Sequence, residues 1–202
     1  MTLADRISLS RVVLAPVFFI VYMLPVWFPT VFAGSAIWVV PVLWIIYVGS
    51  EVSDALDGWI ARKRNEVSNF GKLLDPFSDT LMQLTVFLCF VLDGGQNGKG
   101  LFPAMLYLLV VYREFGILFI RNMMLQKGIS MGARMSGKVK TVMYILAGGA
   151  ALITVSLQRL AVLEFLHPFW RIFTLVLFCL SVAVSVFSFF EYLIVYLRED
   201  SK

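Results

Sequence analysis

Charge is what this sequence has least of. Asp, Glu, Lys and Arg make up only 15% of its 202 residues, against 60% hydrophobic, and the mean hydropathy is +0.86. That balance lies outside the usual range of a soluble domain and makes a bilayer the expected solvent. Cysteine is nearly missing as well. Cys89 and Cys179 both fall in apolar runs, so no disulfide framework is expected. Internal repeats, low-complexity tracts and Ser/Gly linkers are absent, which leaves one domain over residues 1–202. Nor are basic residues interleaved with aromatics, so no nucleic-acid partner is expected. Met1 to Arg11 carries Asp5 together with its two arginines and lacks a small-residue cleavage pattern, so it reads as part of a first helix rather than a signal peptide.

Long apolar runs are what remains. A helix needs roughly 20 apolar residues to cross a hydrocarbon core, and six stretches qualify, near 10–30, 34–60, 73–93, 101–124, 139–158 and 168–197. The fold class is therefore an all-α integral membrane protein with six transmembrane helices. Lys and Arg set its orientation. Arg6 and Arg11 precede the first run, Arg62, Lys63, Arg64 and Lys72 lie between the second and third, and Arg121 to Lys140 surround the link from fourth to fifth. The alternate loops hold only Lys99, Arg159 and Arg171. Both termini are thus expected in the cytoplasm, and the net charge of +4 suits an anionic lipid surface. The Gly-rich stretch from Asp93 to Gly100 reads as a connection, because Leu101-Phe102-Pro103 lacks the Lys and Ser/Thr of a phosphate-cradling loop. Pro16, Pro25, Pro41 and Pro168 are expected to shape helices, and Trp27, Trp38 and Trp170 to anchor at the interfaces.

Against this background four carboxylates stand out: Asp54, Asp57, Asp75 and Asp79. Carboxylates beside hydrocarbon are costly and mark function by default. Spacings of three and four put each pair on one helix face, where like charges repel. A divalent cation reverses that sign, since Mg2+ and Mn2+ take oxygen ligands, and two ions held by four carboxylates are a recurring device for phosphoryl transfer. Gly58 and Gly71 clear space beside the carboxylates, and Arg62 can pair with a phosphate. The bland alternative is a solvated acidic cluster neutralised by the neighbouring basic loop.

The full pattern is more specific than its carboxylates. Asp-x-x-Asp-Gly-x-x-Ala-Arg, eight residues, then Gly-x-x-x-Asp-x-x-x-Asp resembles the signature of the CDP-alcohol phosphotransferase family at Asp54, Asp57, Gly58, Ala61, Arg62, Gly71, Asp75 and Asp79. The resemblance implies a six-helix homodimer with a cytoplasm-facing cavity in a bacterial-type inner membrane. It implies an enzyme that moves a phosphatidyl or phospho-alcohol group from a CDP-linked donor such as CDP-diacylglycerol to a hydroxyl acceptor, releasing CMP. Carried over residue by residue, Asp54, Asp57 and Asp75 are metal ligands for two Mg2+ or Mn2+ ions. Asp79 is the general base and also touches metal. Asp54, Gly58, Ala61, Arg62 and Gly71 bind the CDP donor.

A second group of charges bears on the acceptor. Arg113, Arg121, Arg134, Lys138 and Lys140 cluster near the end of the fourth run and the start of the fifth, as suits an acceptor that itself carries phosphate. Arg113-Glu114 and Gly137-Lys138-Val139-Lys140-Thr141 resemble the phosphatidylglycerophosphate synthase branch of the family, whose acceptor is glycerol 3-phosphate. The sequence departs from that branch at Thr80, at Tyr144 and in the run from Asp5 to Arg11. Inositol phosphate, serine or an amino alcohol therefore stay open as acceptors. From another class, a small cation-coupled transporter also uses intramembrane carboxylates, although it would place them near mid-membrane.

Overall fold

The computed structural model describes the backbone over residues 3–64, 69–93, 100–126 and 135–200, and side chains over 5–54, 71, 74–93, 100–126 and 135–198. Among these residues the chain is all helix: α1 (Leu3–Trp27), α2 (Ala36–Arg64), α3 (Asn69–Leu92), α4 (Ala104–Gln126), α5 (Met135–Leu160) and α6 (His167–Asp200), with a short 3-10 turn at Glu164–Leu166. Five of the six, all but α4, are long and apolar enough to cross a membrane. The protein is an all-α membrane protein. α4 has a comparable length but carries Arg113, Glu114 and Arg121. The first two of these turn inward and are buried, while Met105, Leu108, Leu109, Tyr112, Phe115 and Phe119 are exposed on the helix's outer side.

α1 begins seven residues before the expected first run, so Arg6 and Arg11 lie inside a helix rather than ahead of one. The reason is its buried stripe. Asp5, Ser8, Arg11, Ala15, Phe18 and Tyr22 are all buried and follow one another by three or four residues, the spacing of a single helix face. That face meets α2 and α3. Its inner half is apolar and its first three turns are polar, so polarity there is aimed into the bundle.

Helices in a bilayer gain nothing from hiding apolar surface from one another, and close packing and hydrogen bonds take over. Phe102 stacks on Phe178 with centroids 3.8 Å apart, and Phe87 meets the rings of Phe102, Tyr144 and Phe178 at 5.2 to 5.5 Å. On α5 the run of small residues Ala147, Gly148, Ala150 and Ala151 is buried and serves packing within the chain. A Cβ at Gly148 would lie 2.6 Å from the Tyr47 hydroxyl, whereas one at Gly149 would meet open space. That hydroxyl donates to the Ile145 carbonyl at 2.8 Å, and Trp44 donates to Ser156 at 3.1 Å, together fixing α2 to α5. Roughly 16 Å along α1 from Arg11, Asp93 accepts from Tyr22 at 2.9 Å and from Arg159 at 3.3 Å, tying α1, α5 and the end of α3 together. Pro16, Pro25 and Pro41 lie inside helices, whereas Pro168 sits in the first turn of α6, where its missing N–H costs nothing.

Candidate active site

Packing α1 between α2 and α3 brings three of the motif carboxylates together. Asp54 projects from α2, and Asp75 and Asp79 from successive turns of α3. One carboxylate oxygen from each lies within 4.8 Å of the others. Like charges at about 4 Å repel by roughly 1 to 4 kcal/mol as the surroundings pass from water to a protein surface. Arg11 supplies an opposing charge. Its guanidinium lies 2.5 Å from Asp54 Oδ1, 2.7 Å from Asp75 Oδ1 and 3.1 Å from Asp79 Oδ1, and Ser8 donates to Asp75 at 3.1 Å. The Arg11 side chain is 2% exposed, whereas the three carboxylates are 41 to 45% exposed. One guanidinium cannot compensate three carboxylates at once, and the donors left over are all oxygen. That donor set fits a hard divalent cation.

The second group of charges closes the other side of the same space. A cavity of about 220 Å3 is lined by Arg11, Asp54 and Asp79 on one wall and by Arg113, Arg121, Lys138 and Lys140 on the other. Arg113 is held in place on every side. Its Nη1 lies 2.8 Å from Glu114 Oε1, its Nη2 donates to Ser188 at 3.2 Å, and its Nε donates to the Ser185 carbonyl at 3.2 Å. Lys140 reaches the same Glu114 oxygen at 3.0 Å and sits 4.5 Å from the centre of the Tyr144 ring. Glu114 thus neutralises one of two adjacent cations and leaves a net positive charge. Arg121 donates to the Tyr192 hydroxyl at 3.4 Å. The cavity therefore carries a negative wall and a positive wall, suited to a bound metal on one side and an anionic group on the other.

Comparison with known proteins agrees with this geometry. The family model for CDP-alcohol phosphatidyltransferase matches residues 1–187. The chain belongs to this family. Curated CDP-alcohol phosphatidyltransferases similar to it include the CDP-diacylglycerol--glycerol-3-phosphate 3-phosphatidyltransferase of Treponema pallidum (strain Nichols), 33% identical over 201 residues, covering 96% of this chain and 88% of the relative. Proteins of the same name from Bacillus subtilis (strain 168) and Escherichia coli (strain K12) are 32% and 31% identical, covering 75% and 70% of this chain and 76% and 71% of their own lengths. CDP-alcohol phosphatidyltransferases use divalent metals, and the Asp54, Asp75 and Asp79 triad is a set that can hold one.

Not every expected site residue can be placed in this CDP-alcohol phosphatidyltransferase. Asp57, Gly58, Ala61 and Arg62 fall on the last turns of α2, where side chains lie outside the described residues, and Arg134 lies outside them altogether. Gly71 sits one turn before Asp75 on α3, half-buried. Of the basic cluster, Arg113, Arg121, Lys138 and Lys140 all line the cavity. Arg11, Glu51, Gln83 and Tyr192 line it too without having been singled out from the sequence. For Arg11 a signal existed in the stripe of α1, since it sits four residues before Ala15 and seven before Phe18 on the apolar face.

Proposed function

We propose that the chain is a single catalytic domain that transfers a phosphatidyl group from CDP-diacylglycerol to glycerol 3-phosphate, giving phosphatidylglycerol phosphate and CMP. The observation that carries the reading is the shared cavity: Asp54 and Asp79 of the acidic triad and four basic residues of the second group line one space. The names of the relatives point the same way.

In the proposed reaction the acceptor phosphate rests against Arg113, Arg121, Lys138 and Lys140, with Arg134 as a further contact. This directs its hydroxyl toward the acidic wall. Asp79 takes the hydroxyl proton as the oxygen bonds to the phosphorus bearing the diacylglycerol, and the bond from that phosphorus to CMP breaks, CMP leaving with the electron pair. Asp54, Asp57, Asp75 and Asp79 would hold two divalent ions, Mg2+ or Mn2+, whose chemistry is to stabilise charge on the reacting phosphate oxygens. Arg11 keeps Asp54 and Asp75 from springing apart. Gly58, Ala61, Arg62 and Gly71, with Asp54, form the CDP-donor site.

In the membrane α4 would be the sixth span, a reading supported by its exposed apolar side and inward Arg113 and Glu114. The basic loops favour a cavity open to the cytoplasm of a bacterial-type inner membrane. A homodimer is carried over from the family resemblance.

The test is CMP release by purified protein in lipid nanodiscs with CDP-diacylglycerol, Mg2+ or Mn2+, and separately glycerol 3-phosphate, inositol phosphate and serine. Release with glycerol 3-phosphate alone supports the proposal. Release only with one of the others reassigns the acceptor, and no release with any of them leaves a carrier as the better reading.

A further inference from the structure

Gln83 is a polar side chain that the site's hydrogen-bond network does not use. It follows Asp79 by four residues and Asp75 by eight on α3, so the three share one face. Its backbone lies about 6 Å beyond that of Asp79 along the helix. Gln83 lines the same cavity as Asp79, Glu114 and Lys140, and its side-chain amide nitrogen is buried with no hydrogen-bond partner among the described residues. One turn further along the same face of α3, Val86 and Phe87 are buried and apolar. An amide donor left unpaired in such surroundings is unfavourable, and an apolar side chain would fill the same space without that penalty. Among the described residues the other buried orphans outside the charged walls, Ser35 Oγ and Arg159 Nη1, belong to residues that do not line the cavity.

We infer that Gln83 determines acceptor specificity by donating a hydrogen bond to a hydroxyl of the acceptor that does not attack. The inference rests on the proposed phosphorylated-alcohol acceptor and deepens it. With the phosphate on the basic wall and the attacking hydroxyl at Asp79, a three-carbon acceptor has one polar group left, its central hydroxyl. The amide of Gln83, which no described group engages, is a donor that lines the same cavity. A site built to pair a hydroxyl rejects the analogue lacking it, because the protein's own polar group is then left unsatisfied. The acceptor class selected is a vicinal-diol phosphate over a mono-alcohol phosphate of equal length.

The experiment compares CMP release with glycerol 3-phosphate and with 3-hydroxypropyl phosphate, which lacks the central hydroxyl, for the wild type, Gln83→Met and Gln83→Val in nanodiscs with CDP-diacylglycerol and Mg2+. The wild type is expected to prefer glycerol 3-phosphate at least tenfold in kcat/KM. Both variants should narrow that preference to within about threefold, mainly through a higher KM for glycerol 3-phosphate, with turnover of the deoxy analogue little changed. A wild type active on glycerol 3-phosphate whose preference survives in both variants overturns the role of Gln83 alone. Equal loss on both substrates through kcat overturns it too and points to a packing role. A wild type that turns over neither substrate overturns the acceptor reading and this inference together.

Discussion

The Arg11 guanidinium joins Asp54 on α2 to Asp75 on α3, at 2.5 Å and 2.7 Å, from a third helix. Three helices therefore meet at one buried cation. Replacing Arg11 by Met leaves the carboxylates facing each other with less compensation. A fully buried pair broken this way costs about 3–5 kcal/mol, and solvent screening of half-exposed carboxylates brings the expected loss to about 1–3 kcal/mol. Millimolar Mg2+ should recover part of it by binding the folded state. Thermal unfolding in detergent across a Mg2+ series measures both effects. An Arg11→Met midpoint equal to wild type at every concentration would show that the guanidinium is no counter-ion to the cluster.

Chelation should stop CMP release, and adding back Mg2+ or Mn2+ should restore it. Asp79→Asn is expected to lower kcat by about 10²- to 10⁴-fold, the range for losing a general base, with little change in the KM for the acceptor. Asp75→Asn should instead raise the cation concentration needed for half-maximal rate. If both variants merely shifted the metal requirement, Asp79 would be a ligand without a role as base.

Glu114 carries Arg113 and Lys140 on a single oxygen. Glu114→Gln strands two buried cations and should cost about 3–5 kcal/mol. Adding Lys140→Met removes one of them, so the double variant should recover a substantial part of the loss. The coupling read from denaturation of the two single variants and the double is expected to be about 1–3 kcal/mol. Strict additivity would mean that the two residues do not share the carboxylate in the folded protein.

Adjacent glycines on α5 should respond oppositely. Gly148→Ala drives a methyl against the Tyr47 hydroxyl and is expected to cost about 1–3 kcal/mol, part of which Tyr47→Phe should return. Gly149→Ala meets open space and should be neutral or up to about 1 kcal/mol stabilising, because alanine is the better helix former. Melting temperatures of Gly148→Ala, of Gly148→Ala with Tyr47→Phe and of Gly149→Ala decide the matter, and equal losses at 148 and 149 would contradict the packing described.

Fold and site were legible to different degrees. The helices could be read because apolar runs of bilayer length have few other uses, and the acidic triad because Asp, Gly, Ala and Arg recur at fixed helical spacing. Arg11 escaped because an arginine ahead of an apolar run looks like a topology signal. Its spacing to Ala15 and Phe18 pointed to the inner face, and the packing of α1 shows that it turns there. Glu51 lies at the end of an apolar stretch three residues before Asp54, and Gln83 within one, and nothing local distinguishes a polar residue facing a cavity from one facing a headgroup. The basic cluster could be listed from sequence, but its meeting with the aspartates depends on how α4 and α5 approach α3, which no spacing within one helix encodes.

The Tyr22, Asp93 and Arg159 knot draws α1, α3 and α5 together at the end of the bundle remote from the carboxylates. Arg11 clasps α1 and α3 again at the carboxylate end, so these two helices are buckled together by an arginine and an aspartate at both ends of their shared length.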